Sequence, residues 1–244
     1  MTVYFIGAGP GDPELITVRG QRLIRSCATI LYAGSLVPVA LLEGNTAEIV
    51  VNSADLTLDE IIALIETAHK KNQDVARVHS GDPSLYGAIG EQIRRLRVLN
   101  IPYEIIPGVT ATAASAALLG IELTLPDISQ TVILTRHASK TTMPAGEQLH
   151  DLARHRATMA IHLGIPHLHN IVEELLPHYG ADCPVAVVHR ASWPDQDYAL
   201  GTLADIEAKV LAKGFQRTAL IVVGEVLTAN DFSDSKLYRF DKNT

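Results

Sequence analysis

Gly7-Ala8-Gly9-Pro10-Gly11-Asp12-Pro13 decides the reading of this chain, because its last three residues return as Gly81-Asp82-Pro83 inside His79-Ser80-Gly81-Asp82-Pro83-Ser84-Leu85-Tyr86-Gly87. Each copy follows an apolar run that reads as a buried strand, Val3-Tyr4-Phe5-Ile6 and Val75-Ala76-Arg77-Val78. Each precedes a helical pattern. Asp is a good N-cap, and Pro suits the first helical position, where its missing N–H would be unpaired anyway. Glycines just before the cap let a ligand approach the backbone closely. In an open parallel α/β sheet such turns lie at the carboxyl ends of the strands, where ligands bind.

The first turn is not a dinucleotide fingerprint. Gly7 and Gly9 fit its first two glycines, but Asp12 stands at the third. A carboxylate there repels a pyrophosphate. No Gly-Lys-Ser/Thr follows, so a phosphate-cradling loop is also excluded. The turns suit a ligand that is not held by its phosphates.

Working outward, strands are expected at 3–7, 28–32, 47–51, 74–79 and 103–106, with helices at 13–25, 58–71, 84–97 and 109–118. Thr57-Leu58-Asp59-Glu60 is a capping-box pattern, and Ile61, Leu64, Ile65 and Ala68 mark the buried face behind it. Alternating strand and helix implies a mostly parallel sheet covered on both faces. The Pro126-containing stretch after Glu122 reads as an extended connector. Beyond it, strands are expected at 131–136, 157–163, 184–190, 197–202 and 218–226, and helices at 146–154, 167–178 and 204–213. The loop Ala191–Gln196 joins two strands without a helix, which implies a mixed sheet. The reading is two α/β domains, 1–122 and 123–244, with a ligand cleft between them.

The 244 residues are 47% hydrophobic and 19% charged, the composition of a packed globule. A net charge of −7 argues against a general nucleic-acid binder. Cys27 and Cys183 lack a nearby partner, which suits a reducing cytoplasm and small buried apolar roles. The amino terminus lacks the basic-then-apolar pattern of a signal peptide, and the most apolar stretch is too short and polar to span a membrane.

Arg136-His137-Ala138-Ser139-Lys140 places two cations and an imidazole at a strand end, a candidate anion-binding segment. Arg94, Arg95 and Arg97 read as a solvated helix face. His162, His167 and His169 lack a nearby further ligand and read as polar groups at element ends rather than a metal site. Asp82 at a helix cap stays ionised, so capping or hydroxyl recognition suits it better than base catalysis. No nucleophile motif is present, and no catalytic residue is named.

Four blocks spanning the chain resemble the tetrapyrrole (uroporphyrin-III/corrin) methylases: Gly7–Pro13, Ser80-Gly81-Asp82-Pro83, Ile106-Pro107-Gly108-Val109-Thr110-Ala111, and Ala219–Val226. Leu31–Val37 and Leu123–Thr131 are similar to the branch that methylates C11 of precorrin-4 in cobalamin synthesis. The chain departs from the uroporphyrinogen branch, which has Tyr-Asp-Arg-Leu-Val where Tyr32-Ala33-Gly34-Ser35-Leu36-Val37 stands here, and Lys-Gly-Gly-Asp where His79-Ser80-Gly81-Asp82 stands. The resemblance implies two α/β domains, a homodimer and S-adenosylmethionine as cofactor. It implies cofactor contacts at Pro10, Ser80, Gly81, Asp82, Thr110, Ala111, Leu163, Arg190, Ala191, Ala219 and Leu220. The acceptor it implies is a macrocycle with several carboxylate arms, and those arms call for Arg136, His137, Lys140 or Arg190. Methyl transfer is an in-line displacement that needs positioning more than a strong acid or base. Alternatives are another tetrapyrrole acceptor (uroporphyrinogen III or a different precorrin), an RNA methylase disfavoured by the negative charge, and a non-catalytic ligand sensor.

Overall fold

The computed structural model describes residues 1–138 and 141–235. It contains two compact units, Met1–Ala114 with Ser192–Pro194, and Ser115–Ala191 with Asp195 onward.

In the first unit, β1 (Val3–Gly7), β2 (Thr29–Tyr32), β3 (Ile49–Asn52), β4 (Val75–His79) and β5 (Tyr103–Ile106) form a sheet in the order β3-β2-β4-β1-β5. Every pairing is parallel. Helices α1 (Val18–Ser26), α2 (Leu58–Lys70) and α3 (Gly90–Val98) cover it. Alternate residues of each strand feed two apolar layers. Phe5, Leu31 and Val75 pack with Ile61 and Ile65 of α2 and Leu96 of α3. Ile6, Ile30 and Ala76 pack with Ile24 of α1 on the other face. Each such large side chain contributes roughly 1.5–3 kcal/mol by leaving water. The chain leaves neighbouring β1 and β4 in opposite directions, toward β2 and β5 respectively, so their carboxyl ends form a topological switch point.

The capping box at α2 is complete. Glu60 N–H donates to the Thr57 hydroxyl at 3.3 Å, and Thr57 N–H donates to the Glu60 carboxylate at 2.7 Å. Two helix expectations are corrected. Residues 13–25 split into a 3-10 turn, Pro13–Leu15, capped by Asp12, and α1, capped separately by Thr17. The helix expected from 84 starts only at Gly90, because Tyr86 (φ 57°) and Ala88 (φ 50°) are left-handed and cannot continue a right-handed helix.

Helix α4 (Ala111–Leu119) crosses the boundary between the units, which falls at Ala114/Ser115, whereas the sequence division stands at 122/123. The second unit has β6 (Val132–Arg136), α5 (Leu149–Ala153), β7 (Thr158–His162), α6 (Leu168–Tyr179), β8 (Pro184–His189), β9 (Asp197–Thr202), α7 (Ile206–Lys213) and β10 (Ala219–Val223). Its sheet order is β6-β7-β10-β8-β9. The sheet is mixed, as expected: β6 and β7 are parallel, and the other pairings are antiparallel. One face buries Met159, Ile161, Val187 and Ile221 under Ile171 and Leu175 of α6 and Ile206 of α7. The other presents Ala160, Ala186, Leu220 and Val222 to Leu119 and Leu123. Cys27 and Cys183 are both free and buried, and burial pushes each thiol up to about 12.

Candidate functional site

In the first unit, three loops at the carboxyl ends of β1, β4 and β5 are locked together. Gly9 and Gly81 exchange backbone hydrogen bonds at 3.2 and 2.7 Å, and Ala8 N–H donates to the His79 carbonyl at 2.7 Å. The two copies of the repeated motif therefore meet. Added methyl groups explain the glycines: one at Gly7 would stand 2.6 Å from Gly108 Cα and from the Gly81 carbonyl oxygen. Gly81 itself (φ +62°) is different, since a Cβ there would approach only the Val109 carbonyl, at 4.0 Å. That leaves room against bare backbone.

Asp82 does not cap a long helix. It accepts from Ser84 N–H at 2.8 Å, from the Ser84 hydroxyl, and from Gly108 N–H at 2.8 Å, tying the second loop to the third. Burial pushes its carboxyl up, but the hydrogen bonds from Ser84 and Gly108 outweigh that and hold it below the ordinary range. The Thr110 hydroxyl accepts from Ala113 N–H at 3.2 Å and so starts α4 at Ala111. The Pro10 carbonyl receives the Trp193 indole N–H at 2.8 Å. Pro10, Ser80, Gly81, Asp82, Thr110 and Ala111 thus belong to one set of loops.

In the second unit, Leu163, Arg190, Ala191, Ala219 and Leu220 lie at one end of the sheet, where β7 and β8 finish and β10 begins. The register, Ile161 opposite Ile221 and His189 opposite Ala219, sets this. The backbone there is strained: Leu163 (φ 55°), Arg190 (φ 48°) and Thr218 (φ 56°) are left-handed without being glycine. Leu163 is also 65% exposed. Arg190 donates through Nε to Asp195 at 2.8 Å, and that bond holds the Asp195 carboxyl below its ordinary value.

Arg136 ends β6 opposite His162, at the same end of this sheet. Its guanidinium donates to the carbonyls of His137 (3.2 Å), Thr141 (3.0 Å) and Thr142 (3.2 Å), so it shapes its own loop. His137 Nε2 lies 3.3 Å from Glu174 Oε1, and its ring stacks on His167 with centroids 4.8 Å apart. Lys140 lies outside the described residues. Among the described residues, no three His, Cys, Asp or Glu side chains gather to hold a metal ion.

Sequence reasoning missed Arg77 and His79. Both sit on β4, and both line a cavity of about 390 Å3 with Ala33, Ser53, Gly87 and Gln92. Each is only 4% exposed. Arg77 donates through Nε to Gln92 Oε1 at 3.1 Å and through Nη1 to the Leu31 carbonyl at 3.2 Å. Burial brings its pKa down to about 10. Burial, then the Arg77 charge, pushes His79 down to about 3, so the imidazole is neutral. The signal was present: a cation inside an otherwise apolar strand run.

Residues 2–207 match the sequence pattern of the family described as tetrapyrrole (corrin/porphyrin) methylases. A Pseudomonas aeruginosa protein named precorrin-4 C(11)-methyltransferase is 74% identical, over 98% of this chain and 96% of that protein. The crystal structure of a cobalt precorrin-4 methyltransferase superposes with a TM-score of 0.90 at 39% identity, covering 93% of this chain and 96% of that one. A uroporphyrin-III C-methyltransferase from Thermus thermophilus, complexed with S-adenosyl homocysteine, gives a TM-score of 0.77 at 29% identity, over 93% and 99% of the two chains.

Proposed function

The chain belongs to the tetrapyrrole methylases, and we propose that it methylates C11 of precorrin-4, or of its cobalt form, with S-adenosylmethionine, in cobalamin synthesis. The observation that carries this reading is the interlocked set of glycine loops over β1, β4 and β5, open at Gly81 and built without a phosphate cradle. The residues fit the cofactor. A sulfonium cation calls for carbonyl oxygens and apolar walls rather than an anion nest. When bound, S-adenosylmethionine supplies an electrophilic methyl group.

The remaining work falls to the protein. The loops of Pro10, Ser80–Asp82 and Thr110–Ala111 admit the ligand against backbone, and Asp82, kept ionised, holds them in register. Leu163, Arg190, Ala191, Ala219 and Leu220 contribute the second unit's cofactor contacts. The cationic segment of Arg136, His137 and Lys140 receives carboxylate arms of the macrocycle, fixing the ring so that its nucleophilic carbon is aligned for displacement. Alignment can supply much of such a reaction's acceleration, which is why no strong acid or base is assigned. The enzyme works as a cytoplasmic homodimer.

The test is incubation of purified protein with S-adenosylmethionine and either precorrin-4 or cobalt-precorrin-4, with mass and NMR analysis of the product. One added methyl at C11 in either arm is the expected result. Methylation only of uroporphyrinogen III or of RNA, or binding without turnover, defeats the assignment.

A further inference from the structure

We infer that Trp193, the single tryptophan of the chain, is a positioning residue for the cofactor, holding the Gly9–Asp12 loop in the shape that S-adenosylmethionine meets at Pro10. This rests on the functional reading above, since that reading makes Pro10 a cofactor contact.

The tip of the loop between β8 and β9, Ser192–Pro194, belongs to the first unit, although the strands on either side of it do not. There the tip grips the first copy of the repeated motif. Trp193 donates its indole N–H to the Pro10 carbonyl at 2.8 Å, and Asp12 N–H donates to the Ser192 hydroxyl at 3.0 Å. Gly11 stands between these two bonds and is buried. A Cβ added to it would overlap the Cδ1 and Nε1 edge of the indole. Gly11 is not left-handed, so its missing side chain serves space rather than conformation. The motif's glycines therefore divide their work: Gly7 makes room for the backbone of Gly108 and Gly81, and Gly11 makes room for Trp193.

This grip completes the hold on the loop. Gly9 is fixed by its paired bonds to Gly81, and the Asp12 side chain is spent on capping Glu14 N–H at 2.8 Å. The Pro10–Gly11 peptide lies between, and the indole N–H sets the way its carbonyl faces. Trp193 itself is half-buried, and among the described residues it joins neither apolar layer of the first sheet. Its placement also carries strain, because the neighbouring Ser192 is left-handed at φ 70° without being glycine. Strain of that kind is kept where a ligand clamp needs it. Arg190 and Asp195 brace the base of the same loop at 2.8 Å. A loop held in its binding shape before the ligand arrives spares the ligand the cost of ordering it. Removing the indole should therefore weaken the cofactor and leave the acceptor alone.

The experiment compares wild type with Trp193→Phe, Trp193→Ala, Gly11→Ala and Ser192→Ala. Calorimetric titration of S-adenosylhomocysteine is paired with tryptophan emission, urea midpoints, and precorrin-4 kinetics at saturating S-adenosylmethionine. Emission reports position 193 alone, and in wild type it should change on S-adenosylhomocysteine addition with the calorimetric midpoint. Trp193→Phe keeps a ring and loses the N–H, and is expected to raise the Kd by about three- to ten-fold. Trp193→Ala should raise it by more than about ten-fold. Gly11→Ala drives the indole off Pro10 without touching residue 193; it should match Trp193→Ala in affinity and alter the emission of the free protein. Ser192→Ala should cost about three-fold. In all four, KM for precorrin-4 stays near wild type. If Trp193→Ala does not fold, Trp193→Phe and Ser192→Ala decide. Wild-type cofactor affinity in folded Trp193→Phe and Gly11→Ala, with lowered urea midpoints, overturns the inference and makes Trp193 a packing residue, while leaving the methylase assignment intact. A wild type that methylates no corrinoid, yet whose cofactor affinity falls in these variants, overturns the assignment and keeps the inference. A wild type that does not bind S-adenosylhomocysteine overturns both.

Discussion

At the carboxyl ends of β1 and β4, the two left-handed positions that exchange backbone hydrogen bonds are glycines, Gly9 (φ 79°) and Gly81 (φ 62°); where β7 and β8 finish in the second sheet, left-handed positions are held by Leu163, Arg190 and Thr218. A glycine takes that conformation without steric strain and brings bare backbone to a ligand. A side-chain-bearing residue there costs roughly 1–2 kcal/mol. Where these two loops meet, the first unit has given up side chains to gain approach and close loop packing, while Tyr86 and Ala88 farther along the second loop are left-handed and keep theirs. The second has accepted strain at Leu163 and Arg190 and kept their side chains.

The largest expected effect breaks the first half of this comparison. In Gly7→Ala the new methyl meets backbone atoms of Gly108 and Gly81 at 2.6 Å, and backbone cannot move aside as a side-chain end can. The variant should lose about 3 kcal/mol of stability, the upper range for overpacking, read as a lowered urea midpoint at unchanged m-value. Gly81→Val faces the open side. It should remain folded, paying mainly for φ +62°, and lose about ten-fold in S-adenosylhomocysteine affinity. A Gly81→Val variant less stable than Gly7→Ala, with normal affinity, would mean the roles of the two glycines are exchanged.

Arg136→Ala probes the second unit. Removing its charged hydrogen bonds should lower kcat/KM for precorrin-4 by about ten- to hundred-fold, a loss of roughly 1.5–3 kcal/mol. S-adenosylhomocysteine affinity should stay near wild type. Because the guanidinium holds three loop carbonyls, Arg136→Lys should recover little: an ammonium is a point donor and cannot reproduce the fork. Lost cofactor affinity with normal acceptor kinetics would show the two sites assigned the wrong way round.

The units also differ in how they house histidine. His169 in the second is exposed and lies between Glu173 and Glu207, at 3.5 and 3.0 Å. His79 in the first is buried beside a cation and stays neutral down to about pH 3. In the unfolded chain the same group takes up a proton near pH 6.5. Below that pH the unfolded state binds the extra proton, so His79 makes stability fall as pH drops from about 6.5 toward 3, by on the order of 1 kcal/mol per pH unit. Its contribution is fully present above that window. Between pH 7 and 5 the wild-type urea midpoint should fall relative to that of His79→Leu, whichever of the two is higher at pH 7. Parallel curves would mean that His79 titrates normally in the fold.

Much of the first unit was legible in the sequence because its signals are local. The repeated Gly-Asp-Pro turns, the Thr57–Glu60 box and the apolar runs each act within a few residues. What was not legible depends on distance. Asp82 bonds Gly108, twenty-six positions on, and that use of its carboxylate takes it from the expected helix cap. Trp193 reaches Pro10 across 183 positions, which no loop composition announces. Left-handed Tyr86 and Ala88 carry no sequence mark, so the sequence pattern places the helix start too early. Arg77 is hidden in the sequence because three of the four residues of Val75–Val78 are apolar, and one charge among them does not change the strand pattern. The second unit's sheet was read from its hairpin, since Ala191–Gln196 leaves no length for a helix. The assignment of its loop cations could not follow from charge alone: Arg136 is engaged by carbonyls of its own loop.

The smallest effect gives the sharpest form of the opening contrast. Leu163 holds a left-handed conformation with its side chain 65% exposed, so packing explains little of its retention. In Leu163→Gly the backbone strain is relieved, while the unfolded chain gains entropy that partly offsets the relief. The net expectation is a stability unchanged or raised by about 0.5–1 kcal/mol, although the substitution removes a whole isobutyl group. If the side chain is an apolar wall for the cofactor, affinity for S-adenosylhomocysteine should fall at the same time, by about three- to ten-fold in calorimetric titration. Opposite movement of stability and affinity is what strain held for binding requires. A Leu163→Gly protein that is clearly less stable and binds normally would place Leu163 among packing residues, and the difference between the two sheet ends would then be one of folding rather than of ligand recognition.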